Sequence, residues 1–237
     1  MTEIIIEKNK NKNVATRRFR FGLLDWLCVA VGITVSIVTI LTDQSRPLPY
    51  VVASIALLNA GILEVILGIN GRRSCYIFAL ISASVSIFIA QIDHFYGNLL
   101  INVYYIPLSL IGFYAWGKHS DKNKDVIARK LTTKQIIILG IIFVISSLGL
   151  KLILDSMGSH STMLDGITTI MIVVASLLGV LRYREQWLAW LIADVLLLIM
   201  WIGTGGPAII TIRVFFVLSS IYGYINWRKL VKGNKRS

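Results

Sequence analysis

The chain has 237 residues, 56% hydrophobic and 15% charged, with a formal net charge of +12 and a mean hydropathy of +0.73. A soluble domain is about one quarter charged, so this composition excludes an ordinary water-soluble globule and fits a protein whose outer surface is as apolar as its core. The basic excess sits in short stretches between apolar runs, so it reads as a topology signal and not as a nucleic-acid surface.

A helix needs about 20 predominantly apolar residues to cross the hydrocarbon core. In chain order, a basic arm, residues 1–22, leads into eight predicted spans: about 23–42, 49–69, 75–91, 98–117, 134–153, 165–181, 187–203 and 207–227. The first run is too long for a signal-peptide core, and no small-residue cleavage site follows it at once. Pro47 and Pro49 open the second span and Gly71 closes it, while Gly205, Gly206 and Pro207 break the seventh from the eighth. Residues 118–134, the longest polar stretch, read as a linker, and residues 228–237 as a basic tail. Cys28 and Cys75 are read as small buried hydrophobes. His94, His119 and His160 fall in or near loops without ligand spacing, so no metal site and no cofactor is implied.

With eight spans, 21 of the 24 Lys and Arg fall on one side: the arm, the loops at Arg72–Arg73, 118–134 and Arg182–Arg184, and the tail. The other side keeps Arg46, with Lys151 and Arg213 near span ends. Positive charge marks the cytoplasmic side. The expectation is therefore a multi-pass protein of the cell (inner) membrane with both termini cytoplasmic.

Shifted so that Trp116 falls on Trp227, the chain aligns with itself. In that one register Leu67-Gly68 falls on Leu178-Gly179, Arg73 on Arg184, Val103-Tyr104-Tyr105 on Val214-Phe215-Phe216, Ser109 on Ser220 and Gly112 on Gly223. The matches cover three spans in each half, residues 49–117 and 160–227. The intervening residues 118–153 supply one span that keeps the copies parallel, and the span 23–42 is extra. Parallel repeats about an axis along the membrane normal are one transporter design.

Charges inside spans are expensive and mark functional candidates. Asp194 lies midway along the seventh span, Arg213 within the eighth and Glu64 late in the second, with Asn59, Asn102 and Gln91 as milder cases. Trp187, Trp190 and Asp194, spaced by three and four, share a helix face. Two indoles and a carboxylate on one stripe make a wall for a flat cationic ring. The indoles read equally as an interfacial belt, and Asp194 equally as a structural partner of Arg213. Trp116 and Trp227, beside Lys118 and Arg228, are read as belt residues. Glu64 is read as reaching water or meeting Arg72 or Arg73. No Gly-x-x-x-x-Gly-Lys phosphate loop, His-Glu-x-x-His or Gly-x-Ser-x-Gly occurs. An intramembrane enzyme using Asp194 would need a second proton-transfer group, and Arg213 is a poor one.

The stretch Arg182-Tyr183-Arg184-Glu185-Gln186-Trp187-Leu188-Ala189-Trp190, followed by Asp194, resembles the PnuC family of vitamin-precursor transporters. So do Ile111-Gly112-Phe113-Tyr114-Ala115-Trp116, Ile221-Tyr222-Gly223-Tyr224-Ile225-Asn226-Trp227, Asp165 and Asn102-Val103-Tyr104-Tyr105. The resemblance covers about 75–117 and 160–228. It implies an all-α fold of the SWEET type, with a 3+1+3 parallel repeat and here an extra N-terminal helix. It also implies facilitated diffusion of nicotinamide riboside, trapping by a cytoplasmic nucleoside kinase, and a homotrimer. The substrate-binding set it suggests is Trp187, Trp190, Asp194, Asn102, Tyr105, Arg213 and Tyr222. Many family members carry Asn near Asp194 and Gln at the position of Asn102, which leaves thiamine or another nucleoside-like precursor as the alternative cargo.

Overall fold

The computed structural model describes residues 22–42, 46–94, 96–121, 125–156, 162–202 and 207–233. The basic arm before Gly22, His160, the Gly205-Gly206 break and the last four residues of the tail lie outside them, as does the side chain of Asp165.

The described chain is helical: α1 (Leu23–Thr42), α2 (Leu48–Ile69), α3 (Cys75–Ile92), α4 (Tyr96–Lys118), α5 (Thr133–Ser156), α6 (Thr162–Val180), α7 (Gln186–Trp201) and α8 (Pro207–Gly233). Each helix overlies one of the eight predicted spans. By length and composition, α2, α3, Leu99–Lys118 of α4 and Thr133–Ile153 of α5 are apolar enough to cross a membrane, and α1, α6 and α7 hold shorter apolar runs. α8 runs on through Arg228, Lys229 and Lys232, so the tail begins as helix and not as coil. Ile137, Ile141, Val144, Ile145 and Leu152 of α5 stand more than half exposed, the surface a helix shows to lipid tails.

Helix ends follow from local chemistry. Pro47 caps α2 and Pro49 lies in its first turn, where a missing N–H costs nothing. At its other end the Arg72 N–H donates to Leu67 O at 2.9 Å and the Gly71 N–H to Gly68 O at 3.0 Å. This is a Schellman ending, and Gly71 takes the left-handed position with φ 68°. α6 ends the same way at the equivalent point of the second half: Tyr183 N–H to Leu178 O and Arg182 N–H to Gly179 O, both 2.9 Å, with Arg182 at φ 67°.

α3 packs against both α2 and α4, and α7 against both α6 and α8, and the two sets meet where α4 touches α6 and α2 touches α8. α5 lies against α6, and α1 against α2. There the Asn59 amide donates to Ser36 Oγ at 2.8 Å, a small polar tie of the kind that holds helices together in lipid.

The stretch 118–134 is no free linker. The Val126 N–H donates to Gly71 O at 2.9 Å, and the Arg129 N–H donates to Arg182 O at 2.7 Å. It thus straps both Schellman turns. Asp125 pairs with Arg72 at 3.1 Å, and Leu131 N–H donates to Glu185 Oε2 at 3.0 Å. Val126, Ala128 and Leu131 are buried. Three apolar residues in an otherwise polar loop gain more by covering the helix ends than by facing water.

Candidate functional site

Between the two three-helix sets lies a cavity of about 380 Å³, lined from α2, α3, α4, α6, α7 and α8. That falls within the ~300–1,000 Å³ usual for small-molecule sites.

Its end nearest the 118–134 strap is closed by aromatic rings. Tyr76 meets Trp116 edge-on at 5.0 Å, Trp116 lies 5.4 Å from Trp227, and Trp227 lies 6.3 Å from Trp187. Trp116 and Trp227 are 2% and 0% exposed. Neither is the belt residue expected from its place at a span end. Each indole instead crosses to the other set: Trp116 Nε1–H donates to Gly179 O at 2.9 Å and Trp227 Nε1–H to Gly68 O at 3.0 Å. A buried indole needs such an acceptor, and helix-terminal carbonyls have spare capacity. The rings gain their room from glycine. A side chain at Gly112 would collide with the Tyr76 ring, and one at Gly223 with the Trp187 ring. These two collisions are equivalent under the repeat, and so are the two indole bonds.

Of the seven binding candidates, Trp187, Trp190, Asp194, Asn102, Tyr105 and Arg213 line the cavity. Tyr222 does not; it packs on the aromatic cluster. Trp187 is buried, so the belt reading fails for it, while Trp190 stays half-buried on the cavity wall. Asp194 and Arg213 feel each other electrostatically. Among the described residues, though, they form no direct ion pair, and Asp194 Oδ2 accepts from Ser220 Oγ at 3.2 Å.

Glu64 departs from expectation most. It faces the cavity and does not reach toward Arg72 or Arg73. Arg72 is held by Asp125, and the Arg73 guanidinium lies over the Phe113 ring at 5.0 Å. α2 runs one turn past Glu64 before the basic loop begins, and the carboxylate lines the cavity beside Ser82 of α3.

Three polar atoms sharpen the site. Gln186 Nε2, Trp187 Nε1 and Arg213 Nε are buried without a hydrogen-bond partner in the protein, and all three side chains line this one cavity. Buried polar groups are normally bonded, so what fills the cavity, water or ligand, is their natural partner. Sequence reasoning missed Tyr76, Ser82 and Gln186. The repeat offers a signal for two of them, because in its register Tyr76 falls on Trp187, and Cys75 on Gln186. Aromatic walls, hydroxyls, an amide and charges of both signs suit a flat ring joined to a polyhydroxylated group.

A family model described as nicotinamide mononucleotide transporter matches residues 51–229. The nicotinamide riboside transporter PnuC of Haemophilus influenzae is 40% identical over 177 residues, 73% of this chain and 77% of that protein. Its namesake in Neisseria mucosa is 32% identical over 219 residues, 87% of this chain and 81% of that protein. A crystal structure of the vitamin B3 transporter PnuC superposes with a TM-score of 0.74 at 28% identity, covering 91% of this chain and 94% of that one.

Proposed function

The chain belongs to the nicotinamide mononucleotide transporter family, and from that premise we propose that it carries nicotinamide riboside by facilitated diffusion with alternating access. The observation that carries the reading is the cavity between the two helix sets, with its tryptophan wall and unpartnered polar atoms. A pyridinium riboside has a fixed positive charge and crosses lipid poorly. Indole faces and carboxylates stabilise that charge, and hydroxyls and amides match the ribose. A phosphorylated cargo fits less well, since Glu64 and Asp194 outnumber Arg213 in the lining and would repel a phosphate.

The contacts that recur in both halves support two parallel three-helix copies, 49–117 and 160–227, rocking about the cavity, with α5 as the link and α1 as the extra helix. The basic end is then cytoplasmic, in a cell membrane, with both termini inside. A cytoplasmic nucleoside kinase traps the cargo as a phosphate, which makes a simple equilibrating carrier sufficient for uptake. By resemblance the working unit is a homotrimer.

The test is uptake of labelled nicotinamide riboside into liposomes carrying this protein alone. Uptake should stop at the outside concentration, and continue when a nucleoside kinase and ATP are enclosed. Absence of uptake refutes the carrier. Accumulation driven by an imposed proton or sodium gradient refutes facilitated diffusion.

A further inference from the structure

We propose that Glu64 is the specificity-determining counter-charge for the cationic ring of the cargo, leaving Asp194 to the hydroxyl-bearing part; this rests on the riboside reading above.

The first ground is placement. Gly61, Glu64, Val65 and Gly68 recur at helical spacing along α2 and all line the cavity. A side chain at Gly61 would meet nothing within 4 Å, so the wall is low on that side of the carboxylate, while a Cβ at Gly68 would stand 3.9 Å from the Trp187 ring. A flat group can therefore come alongside Glu64. α2 and α7 belong to different helix sets and both line the cavity, so a ring stacked on Trp190 lies between them.

The second ground is charge. Asp194 sits in the field of Arg213 and accepts the Ser220 hydroxyl. Glu64 has a hydroxyl partner too, in Ser82, but no cation to balance it. Among the described residues its electrostatic neighbours are Ser82, Cys75, Tyr76 and Tyr105, none of them cationic. The two guanidiniums nearest in sequence are engaged elsewhere, at Asp125 and over Phe113. With its acids ionised, the cavity lining carries one negative charge in excess. A charge inside an apolar helix bundle needs a partner, and a cargo with a single fixed positive charge supplies it. Asp194, by contrast, carries the buried Ser220 hydroxyl, and the buried Ser109 and Asn102 line the same cavity, short polar groups that match ribose hydroxyls.

The test compares two cargoes of nearly the same shape, nicotinamide riboside and its reduced form, whose ring is uncharged, by calorimetric titration of the purified protein. Glu64→Gln should lower affinity for the cation about tenfold or more, ~1.4 kcal/mol per tenfold, and leave the reduced riboside almost unchanged. Asp194→Asn should weaken both alike. If Glu64→Gln does not elute as folded protein, Glu64→Asp, which draws the charge back, should still lower cation affinity and spare the reduced form. Equal effects on both cargoes at position 64, no effect there, or a cation-selective loss in Asp194→Asn overturns the assignment. A parent protein that binds both forms but does not prefer the cation also overturns it. A parent that binds neither removes the riboside reading, and this one with it.

Discussion

Trp187 and Trp190 share one face of α7, yet the structure gives them different work, and alanine replacement should separate the two. Trp190 is half-buried on the cavity wall and Trp187 is 7% exposed, packed on Gly223 and Trp227. Removing Trp190 should cost the ring contact, about 1–2 kcal/mol for a desolvated cation–π pair, or roughly five- to thirtyfold in affinity. Trp190→Phe should recover part of that. Removing Trp187 empties a buried ring site, at about 3–5 kcal/mol of folding stability. The assay is calorimetric titration with nicotinamide riboside alongside thermal unfolding of the same detergent samples. Trp190→Ala should bind weakly and melt close to the parent, and Trp187→Ala should melt much lower. If Trp190→Ala binds like the parent, the α7 stripe is packing alone. If Trp187→Ala melts like the parent, the aromatic closure does not hold the helix sets together.

Three further outcomes are expected. Cysteine at Lys130, an exposed position on the strap, placed in a background with Cys28 and Cys75 replaced by alanine, should react with a membrane-impermeant thiol reagent after cells are opened; reaction in intact cells contradicts the sidedness. Arg182 occupies the left-handed position that Gly71 occupies in the other set, so Arg182→Gly should raise stability by about 1 kcal/mol; Gly71→Ala should lower it, and the reverse ranking in chemical unfolding would discredit the shared turn geometry. Asp93, beyond the end of α3, accepts from Tyr50 Oη at 2.7 Å and pairs with Arg46 at 3.0 Å. The tyrosine hydrogen bond first, then Arg46, hold its carboxyl below the ordinary carboxylate range. A depressed folded-state value gives stability that is present at neutral pH and lost as pH falls through it. The melting difference between parent and Asp93→Asn should accordingly vanish in strong acid; a difference that persists there means the contact is not ionic.

The span pattern was legible in the sequence because it needs no tertiary information. About twenty apolar residues per span, a proline before one helix and a glycine after it, and basic loops on alternate turns are each local facts, and every described helix lies where they point. The register that lays Gly112 on Gly223 and Trp116 on Trp227 was legible too. So was one wall of the cavity, since Trp187, Trp190 and Asp194 announce a shared face by spacing alone. What spacing cannot give is the direction a face points once helices pack. Trp116 and Trp227, read as belt residues, turn inward because each meets a helix-end carbonyl of the other set, 63 and 159 residues away in the chain. Glu64, read as reaching water, points into the cavity because its basic neighbours are held by Asp125 and Phe113. The polar loop became a strap because Val126, Ala128 and Leu131 found buried ground beneath it. Depth and hydropathy decide that a residue is in the membrane; contacts between distant segments decide whether it faces lipid, a neighbouring helix or the cargo, and those contacts exist only in the folded chain.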